Sequence, residues 1–490
     1  MRGFKVYAVG ALVLAVLVSP AAQAATKQQQ LDQLFTKYHQ VGQFNGTVLV
    51  AGEKGVIHKK GYGFANFEWG VPHTTDTKFR LASITKQFTA TVILQLVAEG
   101  KLGLDDTVTK HLPDYRKDTG DRVTLTHLLN HTSGIPSYTN RAFFQDHSRD
   151  PYSVADFVKK FCGGDLEFEP GTKYAYNNSA YLLLGAIIEK VTGKTYAQAL
   201  QERIFTPLGM KDSGYDVSAT VLSKRASGYE PTATGYINAP YLDMSLPYAA
   251  GSLYSTVEDL YRWDRALHTD TVLPAALKQR MFTPGLSDYG FGWSIKPLEL
   301  HDGKTKVGTV THSGGINGFG TLIVRVPESK EVVVLLDNTS RGGKLEEMVA
   351  GALSILRGIA PKQPKASIAQ AVMAALETSS VTEAVARYRT LKATQAAVYD
   401  FSEEELNAVG YHLLRTGRVA DAIEIFKLNV EMFPQSANPY DSLGEAYAAS
   451  GNKALAIANY RRVLELKPAN PGAVEALKRL EQPAEATDRK

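Results

Sequence analysis

The chain has 490 residues, 44% of them apolar and 21% charged, which is too long for one ordinary hydrophobic core and too apolar for disorder. Its 54 basic and 50 acidic side chains leave a formal charge of +4, no electrostatic footprint for nucleic acid. Cys162 is the only cysteine, so an intramolecular disulfide is excluded; with no His beside it in sequence it reads as a buried, inert thiol.

The chain opens with Arg2 and Lys5, an apolar run from Val6 to Val18, and the small-residue site Ala22-Gln23-Ala24. That is the plan of a secretory signal over residues 1–25, and the run is shorter than the roughly 20 residues that span a bilayer. It predicts an exported protein, periplasmic or secreted, with no stable membrane anchor. Removal of the segment leaves 52 basic against 50 acidic side chains, a formal +2.

From 26 to 358 the chain is rich in Gly, aromatics and short β-branched runs. Phe44–Val50 and Gly55–Phe64 read as paired strands joined by the turn Gly52-Glu53-Lys54-Gly55. Residues 84–99 read as a mostly buried helix, with Ile84, Phe88, Val92 and Leu96 at helical spacing and Glu99-Gly100 as its stop. Further strands are predicted at Gly290–Ile295, Gly308–Thr311, Gly318–Val326 and Glu331–Asp337. A sheet split between both ends of the region, with helices inserted between, is an α+β plan: an antiparallel sheet flanked by helices.

The Pro-containing stretch 359–366 reads as a linker. Beyond it, over 367–482, Ala, Leu and Glu dominate and strand signals vanish. Gly410, Ala422, Phe426 and Pro434 recur at an offset of 34 as Gly444, Ala456, Tyr460 and Pro468. Small residues let paired helices approach, an aromatic fills the gap beside them, and Pro closes each unit. The period resembles tetratricopeptide repeats, over about 405–438 and 439–472, and helices predicted within 367–397 would complete the stack of an all-α repeat domain. The concave face of such repeats would offer a docking surface for a protein or peptide.

Three segments carry candidate chemistry. In Ser83-Ile84-Thr85-Lys86, Ser and Lys at i and i+3 share a helix face. A buried amine there can take the hydroxyl proton, and the helix start favours negative charge on the oxygen. The spacing alone is not decisive, because Ser450-Gly451-Asn452-Lys453 matches it in what reads as a turn. Tyr176-Asn177-Asn178 precedes a helix predicted from Ser179, which places Tyr176 on a loop and Asn178 as a cap or site amide. His312-Ser313-Gly314-Gly315 lies between strand-forming runs, and its glycines would let a substrate approach the backbone. No His-Glu-x-x-His or Gly-x-Ser-x-Gly occurs, so neither a zinc protease nor an α/β-hydrolase elbow has support. The motifs call for no cofactor or metal.

The ordered set Ser-x-x-Lys, Tyr-x-Asn and His312-x-Gly, with His131-Thr132-Ser133-Gly134-Ile135-Pro136, resembles the serine β-lactamase and penicillin-binding protein superfamily over about residues 30–345. It is most similar to the class C β-lactamase-like branch, peptidase family S12, which includes D-aminopeptidases, D-Ala-D-Ala carboxypeptidases and family-VIII esterases. The resemblance implies that Ser83 attacks an acyl carbon while Lys86 and Tyr176 share its proton and later activate water. It implies that Asn178 orients Lys86 and the substrate amide, and that the N–H groups of Ser83 and Gly315 form an oxyanion hole. Many β-lactamases have Lys where this chain has His312, and a neutral His is a weaker anchor for a substrate carboxylate. Esters, amides and D-amino-acid peptides are then the expected substrates, ahead of β-lactams. The alternative is a penicillin-binding-type recognition or sensor protein whose repeats dock a partner, with little or no turnover.

Overall fold

The computed structural model describes residues 25–140, 144–340 and 342–482. The expected signal lies, but for Ala25, outside the described residues. Among these residues no helix is long and apolar enough to cross a membrane.

An antiparallel sheet organises the first two thirds of the chain. Its strands are β1 (Gly46–Gly52), β2 (Gly55–Tyr62), β3 (Ser294–Glu299), β4 (Lys306–Ile316), β5 (Phe319–Val326) and β6 (Glu331–Asp337). They run in the order β3-β4-β5-β6-β1-β2, so the two ends of the region meet where Thr47 pairs with Leu336. The hairpin turn at Gly52–Gly55 falls where expected. β2 stops short of Phe64, because Gly63 adopts φ +74° and turns the chain.

The strand alternation buries both faces. Val48, Val50, Leu322, Val324, Val333 and Leu335 pack with helices α1 (Lys27–Gln40) and a later helix, Leu345–Leu356, on one side. Leu49, Ile323, Val332, Val334 and Leu336 face a larger cluster on the other. That second cluster holds α2 (Thr85–Ala98), α3 (Asn178–Thr192) and α4 (Val257–Leu267); the Leu345–Leu356 helix is α5. Ile84, Phe88, Val92 and Leu96 are all fully buried, and each such side chain contributes about 1.5–3 kcal/mol. α2 is buried almost all round, as a helix at the centre of a domain must be. Cys162 is buried too.

The predicted strand at 308–311 is one part of the longer β4. His312-Ser313-Gly314-Gly315 therefore lies within a strand rather than between two strand-forming runs: each residue pairs in register with β5, from His312 with Ile323 to Gly315 with Gly320. β3 stops opposite Thr311. From His312 onward β4 has a strand neighbour on one side only.

Beyond Leu356 the chain is helical: α6 (Ile368–Thr378), α7 (Val381–Thr394), α8 (Glu403–Arg415), α9 (Val419–Met432), α10 (Ala437–Ala449), α11 (Lys453–Leu466) and α12 (Pro471–Glu481). Ala366-Ser367, at the end of the expected linker, pairs with Tyr399-Asp400. A Cβ on Gly410 would sit 2.4 Å from the Phe426 ring, and one on Gly444 would sit 3.2 Å from Tyr460. The small residues of the 34-residue pattern thus lie against the aromatics of the same pattern.

Candidate active site

Ser83 sits in a 3-10 turn, Ala82–Ile84, that runs directly into α2. Ala82 has φ +49°, a conformation costing an L-residue roughly 1–3 kcal/mol. Neighbours hold it there. The Leu81 N–H donates to the Leu253 carbonyl at 2.7 Å, and the Thr321 hydroxyl donates to the Leu81 carbonyl at 2.8 Å. The strained turn projects Ser83 from the core toward the open edge of β4.

Lys86 is fully buried one turn on. Its Nζ lies 2.9 Å from Asn178 Oδ1, 2.9 Å from the Ala250 carbonyl and 3.1 Å from Ser83 Oγ. No carboxylate is among these partners, and burial drives its pKa well below the ordinary lysine value. A neutral amine has two N–H donors and one lone pair. In that neutral form Asn178 Oδ1 and the Ala250 carbonyl would take the two donors and leave the lone pair for the Ser83 hydroxyl. Asn178 is held in that orientation because its Nδ2 donates to Thr139 Oγ1 at 3.1 Å. It is the first residue of α3; the cap is Asn177, whose Oδ1 accepts from the Ala180 N–H at 2.9 Å.

Tyr176 is 36% exposed, and its ring lies over the Lys86 amine. Burial raises its pKa, and the nearby Ser83 hydroxyl opposes that rise. Lys86 Nζ lies 4.8 Å from its ring centroid. The ring is braced by fully buried His131, centroid to centroid 4.3 Å. His131 also accepts from the Asn177 N–H at 3.1 Å through Nδ1, and its carbonyl accepts from the Ala175 N–H. The segment from 131 thus fixes both flanks of Tyr176.

His312 is buried beside Tyr289. Nδ1 lies 2.6 Å from the Ser313 carbonyl and Nε2 lies 2.9 Å from the Tyr289 hydroxyl. A carbonyl only accepts, so Nδ1 carries the proton and Nε2 accepts from the phenol. The ring has no N–H left for a substrate carboxylate. Burial, then the nearby Lys86, lowers its pKa to about 3, so it is neutral at pH 7.

The two glycines differ. A Cβ on Gly314 would fall 2.2 Å from the Leu81 carbonyl and 2.3 Å from Thr321 Oγ1, whereas one on Gly315 meets nothing within 4 Å. Gly314 is therefore glycine so that β4 can press against the Ser83 turn, not to admit a ligand. Gly315 is the one that faces open space. It lines a cavity of about 160 Å³ with Ser83, Asn178, Tyr138, Leu242 and Asn317.

Ser83, Lys86, Tyr176, Asn178 and Gly315 come together. Ser450 does not join them: it is exposed, and its hydroxyl donates to the Tyr447 carbonyl at 2.8 Å. The sequence reading missed the Ala250 carbonyl, which carries no side-chain signal, and Tyr289, which stands outside the three motifs. Among the tyrosines of 229–248, Tyr229 and Tyr248 are core, while Tyr241 is 46% exposed and lines a separate cavity.

The family model described as Beta-lactamase matches residues 31–354. Penicillin-binding protein 4* of Bacillus subtilis (strain 168) is 32% identical over 350 residues, 66% of this chain and 75% of that protein. A solved structure of D-stereospecific amidohydrolase from Streptomyces sp. is 28% identical with a TM-score of 0.56, covering 68% of this chain and 99% of that one. D-amino acid amidase from Ochrobactrum anthropi SV3 is 26% identical with a TM-score of 0.58, over 68% and 99%.

Proposed function

We propose that this chain, which belongs to the Beta-lactamase family, is an exported serine hydrolase that works through an acyl-enzyme on Ser83. The observation that carries this reading is the fully buried Lys86 amine, held by two uncharged acceptors, Asn178 Oδ1 and the Ala250 carbonyl, with its Nζ 3.1 Å from the Ser83 hydroxyl. Lys86 accepts the Ser83 proton as Oγ attacks the acyl carbon. Tyr176, whose ring lies over Lys86 Nζ, passes the proton to the leaving group, and the Lys86–Tyr176 pair then activates water to release the acyl group. The N–H groups of Ser83 and Gly315 take the oxyanion; such donors are worth about 2.7–4 kcal/mol each in comparable hydrolases.

The substrates we infer are esters, amides or D-amino-acid peptides. Two relatives named for amidohydrolase and amidase activity support this choice, and so does the lack of a cation at His312, the position where many β-lactamases carry Lys. We place the hydrolase in residues 26–358 and the linker in 359–366. The helices of 367–482 are proposed to dock a protein or peptide. Export to the periplasm or the exterior is inferred from residues 1–25.

The test is fluorophosphonate labelling beside turnover of p-nitrophenyl acetate. Wild type is expected to label and to turn over repeatedly beyond a single burst, and Ser83→Ala to do neither while staying folded. Unchanged labelling of Ser83→Ala would overturn the assignment of the nucleophile. A burst without further turnover would favour the recognition-protein alternative.

A further inference from the structure

A second cavity, of about 560 Å³, shares the wall residue Asn317 with the Ser83 cavity. Its lining contains two arginines, Arg80 and Arg225, and no acidic residue. Arg80 stands three positions before Ser83, on a short strand fixed by pairing with Tyr254. The carboxylate that meets both guanidinium groups is Asp216, which is only 1% exposed. Arg80 Nε donates to it at 2.7 Å and Arg225 Nη1 at 2.5 Å. Asp216 is therefore spent behind the wall, and among these three groups two cations meet one anion.

Donors remain to use that charge. Among the described residues, neither terminal nitrogen of Arg80 has a hydrogen-bond partner, and neither does Nε or Nη2 of Arg225. The side chains are 15% and 25% exposed, so these groups are reachable but poorly hydrated, where a charge-assisted bond is strongest. Ser218 Oγ accepts from the Met244 N–H at 3.1 Å, and Ser227 Oγ accepts from Asn66 Nδ2 at 3.0 Å.

We propose that this cavity is a carboxylate-binding subsite, which selects substrates bearing a carboxylate remote from the bond that Ser83 cleaves. The inference rests on the serine-hydrolase reading above. One unbalanced positive charge matches a monovalent carboxylate, whereas a divalent phosphate would remain undercompensated. The planar guanidinium edges suit a two-oxygen acceptor. His312, with both nitrogens engaged, leaves the substrate's charge to be met elsewhere, and the shared wall at Asn317 places that charge beyond the Gly315 end of the site.

The experiment compares anionic with neutral substrates of equal length. One arm sets half-esters of glutaric to azelaic acid with p-nitrophenol against the corresponding p-nitrophenyl alkanoates. The other sets 4-acetoxybenzoate against 4-acetoxybenzamide, with the carboxylate on the leaving group. In wild type, kcat/KM for the anionic member of at least one pair is expected to be about tenfold higher. Arg225→Gln is expected to abolish most of that preference while neutral esters change by less than about twofold, and Arg225→Lys to restore part of it. Arg225→Gln leaves Asp216 paired with Arg80, and thermal melting verifies the fold. Calorimetric titration of free adipate and azelate into both proteins reads the subsite without turnover. Binding to wild type that is lost in Arg225→Gln supports the subsite even where no ester is hydrolysed, an outcome that would count against the serine-hydrolase reading alone. Equal preference in wild type and Arg225→Gln, or no preference in either arm together with no diacid binding, overturns the proposal.

Discussion

The carbonyl oxygen of Ala250 accepts from Lys86 Nζ at 2.9 Å, across 164 residues of chain. A backbone carbonyl cannot be ionised, so it accepts from the amine without inviting a proton onto it as a carboxylate would. Asn178 Oδ1, the other acceptor, is neutral as well. Neither acceptor brings a negative charge that would oppose the lowering of the Lys86 pKa by burial.

Asn178→Asp tests this directly. The change preserves shape but sets an anion 2.9 Å from Nζ, which favours the protonated amine and raises its pKa. In wild type the depressed Lys86 pKa makes activity rise with pH through that pKa, well below the ordinary lysine range. In Asn178→Asp the acid limb of kcat/KM is expected to move up by about one unit or more, with about tenfold or greater loss at pH 7 that is recovered in alkali. A lowered rate with an unmoved limb would show that Asn178 does not govern the Lys86 charge.

Gly314→Ala and Gly315→Ala should part company. At 314 the new methyl meets the Leu81 carbonyl at 2.2 Å, so the strained Ser83 turn or β4 must shift. A cost of about 1–3 kcal/mol in stability is expected, with loss of most ester hydrolysis. At 315 the methyl meets nothing, so melting should stay within about 0.5 kcal/mol of wild type. Any loss of rate there comes from crowding the substrate. Equal melting curves for the two variants would contradict the packing role of Gly314.

Much of this was legible in the residues themselves. The period of 3.6 located the buried helix after Ser83, and β-branched runs located four of the six sheet strands closely; β4 was foreseen only over its residues 308–311, and β3 sits a few residues beyond its predicted place. The pairing of Thr47 with Leu336 had to be inferred from fold logic, since no local signal records so distant a contact. Both glycines of His312-Ser313-Gly314-Gly315 were expected to admit a substrate, yet one is forced by the close approach of the Ser83 turn and only the other borders a cavity. Asn177 and Asn178 are both capping residues by type; only the tertiary position of Lys86 decides which one caps and which one faces the amine. Ala250 was illegible because its contribution is a carbonyl, which every residue has.

Acid should weaken the fold before the ordinary carboxylate range. Burial lowers the pKa of His312 to about 3 and of His73 to about 4, and sets that of His131 well below the usual value. An unfolded histidine titrates near 6.5. Between pH 6.5 and about 4 the unfolded chain therefore binds more protons than the folded one, and stability falls as pH falls. Each histidine contributes up to about 1.4 kcal/mol per pH unit in that window. Glu99, held at about 2 by Arg203 and Lys101, adds its own loss only below about pH 5. Denaturant melts from pH 7.5 to 5 are expected to show this decline, with a shallower slope in His312→Phe. A slope unchanged by that substitution would mean that His312 is not held neutral.

The helical region grips the hydrolase through a hairpin tip. Ala233 joins Tyr229–Thr232 to Gly235–Asn238, is 6% exposed, and lies in the apolar cluster built from α6 to α10. Asn238, at the base of the same hairpin, lines the arginine cavity. Ala233→Asp would bury an unpaired charge in that cluster, at a cost of several kcal/mol, so the helices should release the tip. Ser83, Lys86 and Tyr176 are untouched, and kcat/KM for a short neutral ester is expected to stay within about twofold of wild type. Limited proteolysis beyond residue 366 should quicken, because released helices open more often. The preference for carboxylate-bearing esters should weaken as the hairpin base loosens. A variant that resists proteolysis like wild type, or one that loses neutral-ester activity about tenfold while its melting is unchanged, would refute the separation of helical grip from catalysis that the structure implies.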